Sequence, residues 1–285
     1  TKGITNMRNL LTLLILFFTL QTCPAQQIEI MGSALLECEY YKRMVTDTLH
    51  RENDFSADNM ILRIGKEISM FYNPKGMKYD SLGCYNKKLA LQMFMEYSRK
   101  GTANPSGKFK ETVYKNYPAG KMTVFNHFAL MHWTYTEEWE KPRWELIDST
   151  KTILEYPCQL AKSCYRGRIW YAWFTFDIPI SEGPWKLCGL PGLILEAYDM
   201  HQDYLFTAVG IRLQNIPPVG IYNYKEYNYA RTTRQEYLQM QYKEMHTDQA
   251  ARATQMYDIG KNNQVSSPKK TPHRNYELEE TDYHK

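Results

Sequence analysis

Residues 121–175 read KMTVFNHFALMHWTYTEEWEKPRWELIDSTKTILEYPCQLAKSCYRGRIWYAWFT. Aromatic and β-branched residues dominate this stretch and fall into short runs at Val124–Phe128, His132–Trp139, Trp144–Ser149, Thr152–Tyr165 and Arg168–Thr175, the composition of strands. Lys141-Pro142 and Arg166-Gly167 separate successive runs. Connections this short join antiparallel neighbours, because a parallel crossover needs a dozen or more residues. Downstream, Gly192–Asp199 and Tyr204–Leu213 extend the meander, and few helical segments interrupt it. A doubly wound α/β fold is therefore disfavoured. The fold predicted is mainly β (α+β): a curved antiparallel sheet or half-barrel meander with a few packed helices.

Working outward, Ile28–Thr48 and Met60–Phe71 read as further strands, with turn chemistry at Asn53-Asp54 and at Asn73-Pro74-Lys75-Gly76. Lys87–Arg99 carries Leu89, Leu91, Met93 and Met95 without proline and reads as a helix. Glu226–Tyr257 reads as one or two amphipathic helices after the Pro217-Pro218 joint. Hydrophobic residues nearly vanish from Lys261 on, so residues 258–285 are expected to form a flexible polar tail. The single globular domain is placed at 26–257.

The first 25 residues set the compartment expected. Lys2 and Arg8 precede an apolar run from Leu10 to Leu20, and Cys23-Pro24-Ala25 supplies small residues before a cut at Ala25/Gln26. That is the pattern of a secretory signal peptide. Eleven residues fall short of the roughly 20 needed to span a bilayer, and Gln21 and Thr22 argue against a lipid on Cys23. The expectation is an exported protein with no transmembrane span in its mature form, in the periplasm or at the cell surface. Net charge is +4 and falls to +2 once Lys2 and Arg8 are removed. So small an excess, spread along the chain, gives no nucleic-acid footprint.

The most specific stretch runs from Leu154 to Asp199. It holds Gly167-Arg168, Tyr171-Ala172-Trp173-Phe174-Thr175, Asp177-Ile178-Pro179-Ile180, Gly183-Pro184-Trp185-Lys186 and Gly189-Leu190-Pro191-Gly192-Leu193-Ile194. This closely resembles the GLPGLI family of exported Bacteroidota proteins. The match covers about 45 residues and is looser elsewhere. The resemblance implies export and kinship, and no activity. The strand pattern is also similar to lipoprotein-carrier folds, in which an unclosed half-barrel covered by helices holds an acyl chain. A looser similarity links the family to the bowl-like N-terminal domain of certain bacterial peptide-N-glycanases.

Physically, Pro191-Gly192 fits the centre of a type II turn, and Leu193-Ile194-Leu195 enters a strand buried on both faces. Asp177–Gly189, stiffened by Pro179, Gly183, Pro184 and Gly189, is a long connection. It either plugs one end of the sheet with Trp185 or closes over a cavity.

Candidate chemistry is sparse. Five cysteines follow the signal segment: Cys38, Cys84, Cys158, Cys164 and Cys188. Cys158 and Cys164 lie roughly 20 Å apart along one strand, so either is a candidate for a disulfide with Cys188 rather than with the other. Asp177 and Glu196 form a candidate carboxylate pair for a hydrolase acting on glycans or peptides, whereas Glu137 and Glu138 point to opposite faces. Met131-His132, Met200-His201 and Met245-His246 offer soft ligands that would suit copper, without metal-site spacing. No cofactor motif is present. Trp133, Tyr135, Trp139, Trp144, Trp170, Tyr171, Trp173 and Trp185 form an aromatic strip that reads first as core packing and otherwise as a ligand-stacking surface. The leading expectation is a non-enzymatic protein binding an apolar ligand, a peptide or an envelope protein on its sheet. The alternatives are the hydrolase and metal handling.

Overall fold

A computed structural model describes residues 27–101, 105–129, 131–246 and 278–284. Residues 1–25, expected to be a signal segment, lie outside the described residues, as do residues 247–257 of the predicted 226–257 helical stretch and most of the expected polar tail. The elements in chain order are β1 (Gln27–Gly32), β2 (Ala34–Val45), β3 (Phe55–Gly65), β4 (Ser69–Tyr72), α1 (Pro74–Tyr85), α2 (Lys87–Arg99) and β5 (Thr112–Lys115). They continue with β6 (Lys121–Phe128), β7 (Met131–Glu138), β8 (Glu145–Ile153), β9 (Tyr156–Tyr165), β10 (Arg168–Thr175) and β11 (Leu193–Asp199). β12 (Tyr204–Arg212), β13 (Val219–Asn223), β14 (Ala230–Arg231), α3 (Arg234–His246) and a 3-10 turn at Asp282–His284 complete the chain.

Twelve strands form one open sheet in the order β14-β7-β6-β5-β4-β3-β2-β12-β11-β10-β9-β8. Two meanders, β2–β7 and β8–β12, meet where β12 pairs with β2. Every pairing is antiparallel except the short β14–β7 contact, and the sheet does not close into a barrel. The mainly β, antiparallel architecture predicted from the sequence is the one observed. β1 and β13 form a separate two-stranded ribbon.

The sequence places several boundaries differently. Ile28–Thr48 is two strands broken at Ser33, and Met60–Phe71 is the β3–β4 hairpin. Thr152–Tyr165 folds at Leu154-Glu155, which take left-handed φ of 47° and 69° between β8 and β9. Lys87–Arg99 is the predicted helix, but Ala90 is its one buried residue. Asn73-Pro74-Lys75-Gly76, read as a turn, instead opens α1. The Asn73 side chain accepts from the Lys75 N–H at 3.0 Å and Pro74 occupies the first turn, the positions where each residue suits a helix start.

The sheet has two unlike faces. Tyr40, Phe71, Val113, Val124, Trp170 and Phe206 point to the main core. This core is covered by the 176–192 connection, by Tyr237 and Leu238 of α3, and by Leu278 and Tyr283. Residues 278–283 therefore do not behave as the expected tail: Leu278, Glu280 and Tyr283 are buried. On the opposite face a smaller cluster of Ile61, Met70, Tyr72, Tyr114 and Val219 packs under the β1–β13 ribbon.

Two fully buried lysines hold the 176–192 connection. Lys186 Nζ donates to Tyr135 Oη at 2.9 Å, Glu137 Oε1 at 2.6 Å and Glu280 Oε1 at 2.5 Å. Arg166 and Arg234 complete the network on Glu137 and Glu280. Lys115 Nζ donates to the carbonyls of Gly183 at 2.7 Å and Leu187 at 3.3 Å, and pairs with Glu182. The glycines of this region work by close approach. Gly192 does not take the left-handed φ of a type II turn; that conformation falls to Gly189, at 95°. A Cβ on Gly192 would meet the Thr175 carbonyl oxygen at 1.9 Å, and one on Gly183 would meet Ile194 Cβ at 2.9 Å.

Replacing Gly192 with alanine forces backbone against backbone and is expected to cost about 3 kcal/mol or more. Lys186→Met leaves buried carboxylates under-compensated and is expected to cost about 3–5 kcal/mol. Urea denaturation of each variant beside the parent chain measures both; a loss below ~1 kcal/mol in either case contradicts the packing described.

Candidate functional site

None of the motif residues singled out in the sequence lines either of the two cavities described below. Phe174, Gly183, Pro184, Leu190, Gly192, Leu193 and Ile194 are buried in or beside the main core, whereas Pro179, Gly189 and Pro191 are exposed. Trp173 is buried with the main core, with the Lys151 ammonium 4.7 Å from its ring; Lys151 also pairs with Glu196 at 2.6 Å. Asp177 is exposed in the connection after β10, so one member of the proposed carboxylate pair is solvated and the other neutralised. Of the aromatic strip, Tyr135, Trp170 and Trp185 are core side chains. The main-core face of the sheet is packed around these side chains, apart from a cavity of about 220 Å³ beside Phe109, Tyr204, Leu238 and Leu278.

The five described cysteines are free thiols, with Cys164 exposed and Cys158 and Cys188 buried. The expected disulfide to Cys188 is absent; burial instead pushes the Cys158 thiol up to about 11. The Met-His pairs do not converge. His132 lies on β7, His201 in the β11–β12 turn and His246 at the end of α3. Among the described residues, closely spaced metal-type ligands occur at Asp47, His50 and Asp54, an exposed loop group already tied by His50 contacts to both carboxylates.

A cleft of about 730 Å³ lies on the sheet face opposite the main core. Strand alternation builds its floor: the positions next to core residues Phe71, Val113 and Val124 are Tyr72, Tyr114 and Phe125, which line the cleft. Register extends the floor, because Thr112 pairs with Phe125 and His127 with His132. One wall is α1, with Met77, Tyr79 and Asp80. The other is Ile28 and Glu29 of β1 and Ile221 and Tyr222 of β13, followed by Lys225, Tyr227 and Tyr229.

The rings are interlocked. Phe125 meets Tyr114 edge-on at 5.7 Å and Tyr229 at 4.8 Å; Tyr227 stacks on His132 at 3.7 Å, and His132 lies 4.5 Å from His127. Asp80 pairs with Lys225 at 2.6 Å, and Lys225 also lies over the Tyr79 ring at 4.9 Å. Burial, then the Lys110 charge, lowers the His127 pKa; burial and then His127 lower that of His132. Both shifts favour the neutral imidazole.

A second cavity of about 220 Å³ adjoins the first and shares Phe109, Lys110, Asn126 and His127 with it. Glu111 lines it and accepts from Trp185 Nε1 at 3.0 Å. Burial, with Glu279 adding repulsion, pushes the Glu111 carboxyl up to about 7.

Reading the sequence in isolation misses the cleft because its lining comes from six separated stretches, within 28–29, 72–80, 94, 106–114, 125–132 and 221–229. The signal that was available is the tyrosine-dense run Tyr222, Tyr224, Tyr227 and Tyr229, three of which line it.

A family described as "Protein of unknown function (Porph_ging)" matches residues 166–196, which span β10, the lysine-held connection and the start of β11. No curated protein matches the chain. Among solved structures, two crystal forms of PNGF-II, in space groups P21 and C2, are similar with a TM-score of 0.48 and 14% identity. The similarity covers 74% and 75% of this chain and 33% and 34% of theirs, so the chain spans about a third of their length.

The Glu111 shift has a sign that melts can check. The folded protein holds this proton more tightly than the unfolded chain, whose carboxyl titrates near 4.5, so stability falls as pH rises from there to about 7 and then levels. Glu111→Gln keeps the acceptor for Trp185 and removes that loss. The variant is expected to be more stable than the parent above pH ~7 and equal to it near pH ~4, read by denaturant titration at both; equal stability at both contradicts the assignment.

Proposed function

We propose that the chain is an exported binding protein of the GLPGLI type that takes its ligand in the ring-lined cleft and performs no chemistry on it. The single observation that carries this reading is the cleft itself. Its volume of about 730 Å³ falls among ligand sites, which run about 300–1,000 Å³. Aromatic rings line it on three sides, and such rings give much contact area at small entropic cost.

The groups that could act as catalysts there are otherwise engaged. Asp80 is neutralised by Lys225 and accepts from Tyr227 Oη at 3.4 Å. His132 stacks on Tyr227 and lies tilted against His127, and no carboxylate hydrogen-bonds either imidazole among the described residues. The motif supports the reading from the other side. The matched stretch 166–196 sends Trp170, Phe174, Trp185, Leu193 and Ile194 into the main core and none of its residues lines the cleft. The sequence-based expectation of a ligand on the sheet is kept in this reading, and the face that holds it is the helix-walled one.

Native mass spectrometry of residues 26–285, purified from the envelope fraction of cells that make it, is expected to show bound mass released on denaturation. Phe125→Ala combined with Tyr229→Ala removes two floor rings and is expected to reduce the retained ligand at least tenfold, equivalent to about 1.4 kcal/mol, with an unchanged circular dichroism spectrum. A bare parent chain, or full retention by the double variant, refutes the assignment.

A further inference from the structure

We infer that the α1–α2 hairpin docks the protein on an anionic lipid surface, with Leu91 and Met95 of α2 entering the bilayer interface. The inference is independent of what the cleft holds.

Exposed apolar side chains are gathered on this hairpin. Of the 16 large hydrophobic residues exposed among the described residues, five lie within residues 85–95: Tyr85, Leu89, Leu91, Phe94 and Met95. Hydrophobic residues scattered singly need no explanation, whereas a contiguous group marks a contact surface. α2 packs against α1, and Ala90 is its one buried residue. Leu91 and Met95, one helical turn apart, are left 54% and 55% exposed, with Phe94 beside them at 49%. Solvent-facing positions of a surface helix are ordinarily polar.

Charge is gathered on the same hairpin. Residues 74–100 hold six cations (Lys75, Lys78, Lys87, Lys88, Arg99 and Lys100) and two acids (Asp80 and Glu96), a net +4 that equals the charge of the whole chain. The excess read from the sequence as spread along the chain is therefore concentrated here. Ion pairs join Lys75 to Asp58, Lys225 to Asp80 and Lys100 to Glu96, and counting the outside partners Asp58 and Lys225 leaves the sum unchanged. Lys78, Lys87, Lys88 and Arg99 are exposed and form no ion pair among the described residues.

The order of these side chains along α2 points to lipid. Lys88, Leu91, Met95 and Arg99 follow one another at spacings of three, four and four residues, so they form one row along the helix. A long basic side chain bounds the apolar middle of the row at each end. At an interface, Leu91 and Met95 reach the acyl boundary while the lysine and arginine extend along their stems to lipid phosphates. A protein groove that takes a helix face reads apolar anchors over two turns, at i, i+3 or i+4, and i+7; the position seven after Leu91 is Ser98. The helix lies on the surface rather than crossing it. Its 13 residues span about 20 Å against ~30 Å of hydrocarbon, and no described helix is long and apolar enough to cross a membrane. Phe94 also lines the cleft, so docking sets that rim of the cleft at the headgroups.

The test is flotation of the protein, purified as for the native spectra, with vesicles of phosphatidylcholine alone and of phosphatidylcholine with about a third phosphatidylglycerol, at low salt and at about 0.5 M salt. The parent chain is expected to bind the anionic vesicles at least tenfold more tightly than the neutral ones, and less tightly at high salt. Leu91→Ser with Met95→Ser is expected to lower that binding at least tenfold, and Lys88→Gln with Arg99→Gln to lower it about tenfold and flatten its salt dependence. All four side chains are exposed, so both variants keep the parent's circular dichroism spectrum and the mass retained in the cleft. A parent chain that floats with neither vesicle, or equally with both, overturns the inference, as does full binding by the Leu91 and Met95 variant. Self-association that this variant loses, without vesicle binding by the parent, assigns the face to a second copy and also overturns it. Should a variant not fold, the anionic-against-neutral comparison on the parent chain decides. An empty cleft with vesicle binding intact takes down the cleft reading and leaves the lipid surface standing.

Discussion

The fold depends on a charge in its interior. The Lys186 ammonium is removed from solvent and would be strongly destabilising there without acceptors. It has three, and they come from β7 through Tyr135 and Glu137 and from the chain's last described segment through Glu280. Arg166 from the β9–β10 turn and Arg234 from α3 neutralise the second charge on those carboxylates. Five separated pieces of chain are thereby required to meet at one point. A polar network of this kind is satisfied only in one arrangement, so it selects that arrangement more than it adds net stability. Lys115 does the same at the other side of the connection, where it binds two loop carbonyls and Glu182.

With the connection pinned from two sides, Trp185 becomes the plug of the main core, packed 5.5 Å from Trp170 and holding a left-handed φ of 53° that a tryptophan rarely adopts. Filling that face has a consequence for function. The strands are shared: each one that sends Phe71, Val113 or Val124 into the core sends Tyr72, Tyr114 or Phe125 the other way. With one face given to the core, the alternate residues are left to form the floor of a cleft, which α1 and the β1–β13 ribbon wall in without roofing.

The parts of this that were legible in the sequence are those with a period. Strands announce themselves by alternation, and α2 by its spacing without proline. α1 was hidden because Asn-Pro-x-Gly serves a turn and a capped helix start equally well, and only tertiary context separates them. The buried lysines were hidden because lysine is ordinarily a surface residue. Glu279, Glu280 and Asp282 looked like a solvated tail for the same reason, although each is a partner to a cation elsewhere: Lys42, Lys186 and Arg234. Gly192 was assigned the right importance for the wrong cause, since sequence shows that a glycine is needed but not whether φ or a neighbour's backbone requires it. The cleft had no single-segment signature at all beyond the tyrosine run at 222–229.

The two halves of the molecule are connected through three consecutive residues. Phe109 packs in the main core with the Lys42 ammonium 4.4 Å from its ring, and its carbonyl accepts from Asn73 at 2.9 Å, just ahead of α1. Lys110 turns to the cleft. Glu111 turns back and accepts from Trp185, the plug of the lysine-held connection. Lys110 is therefore carried on a backbone clamped on both sides by the core rather than on a free loop. A site held this way has little ordering cost left when a ligand arrives. In the binding reading proposed above, the matched stretch 166–196 acts without touching the ligand, by helping to fix the core against which the cleft is registered.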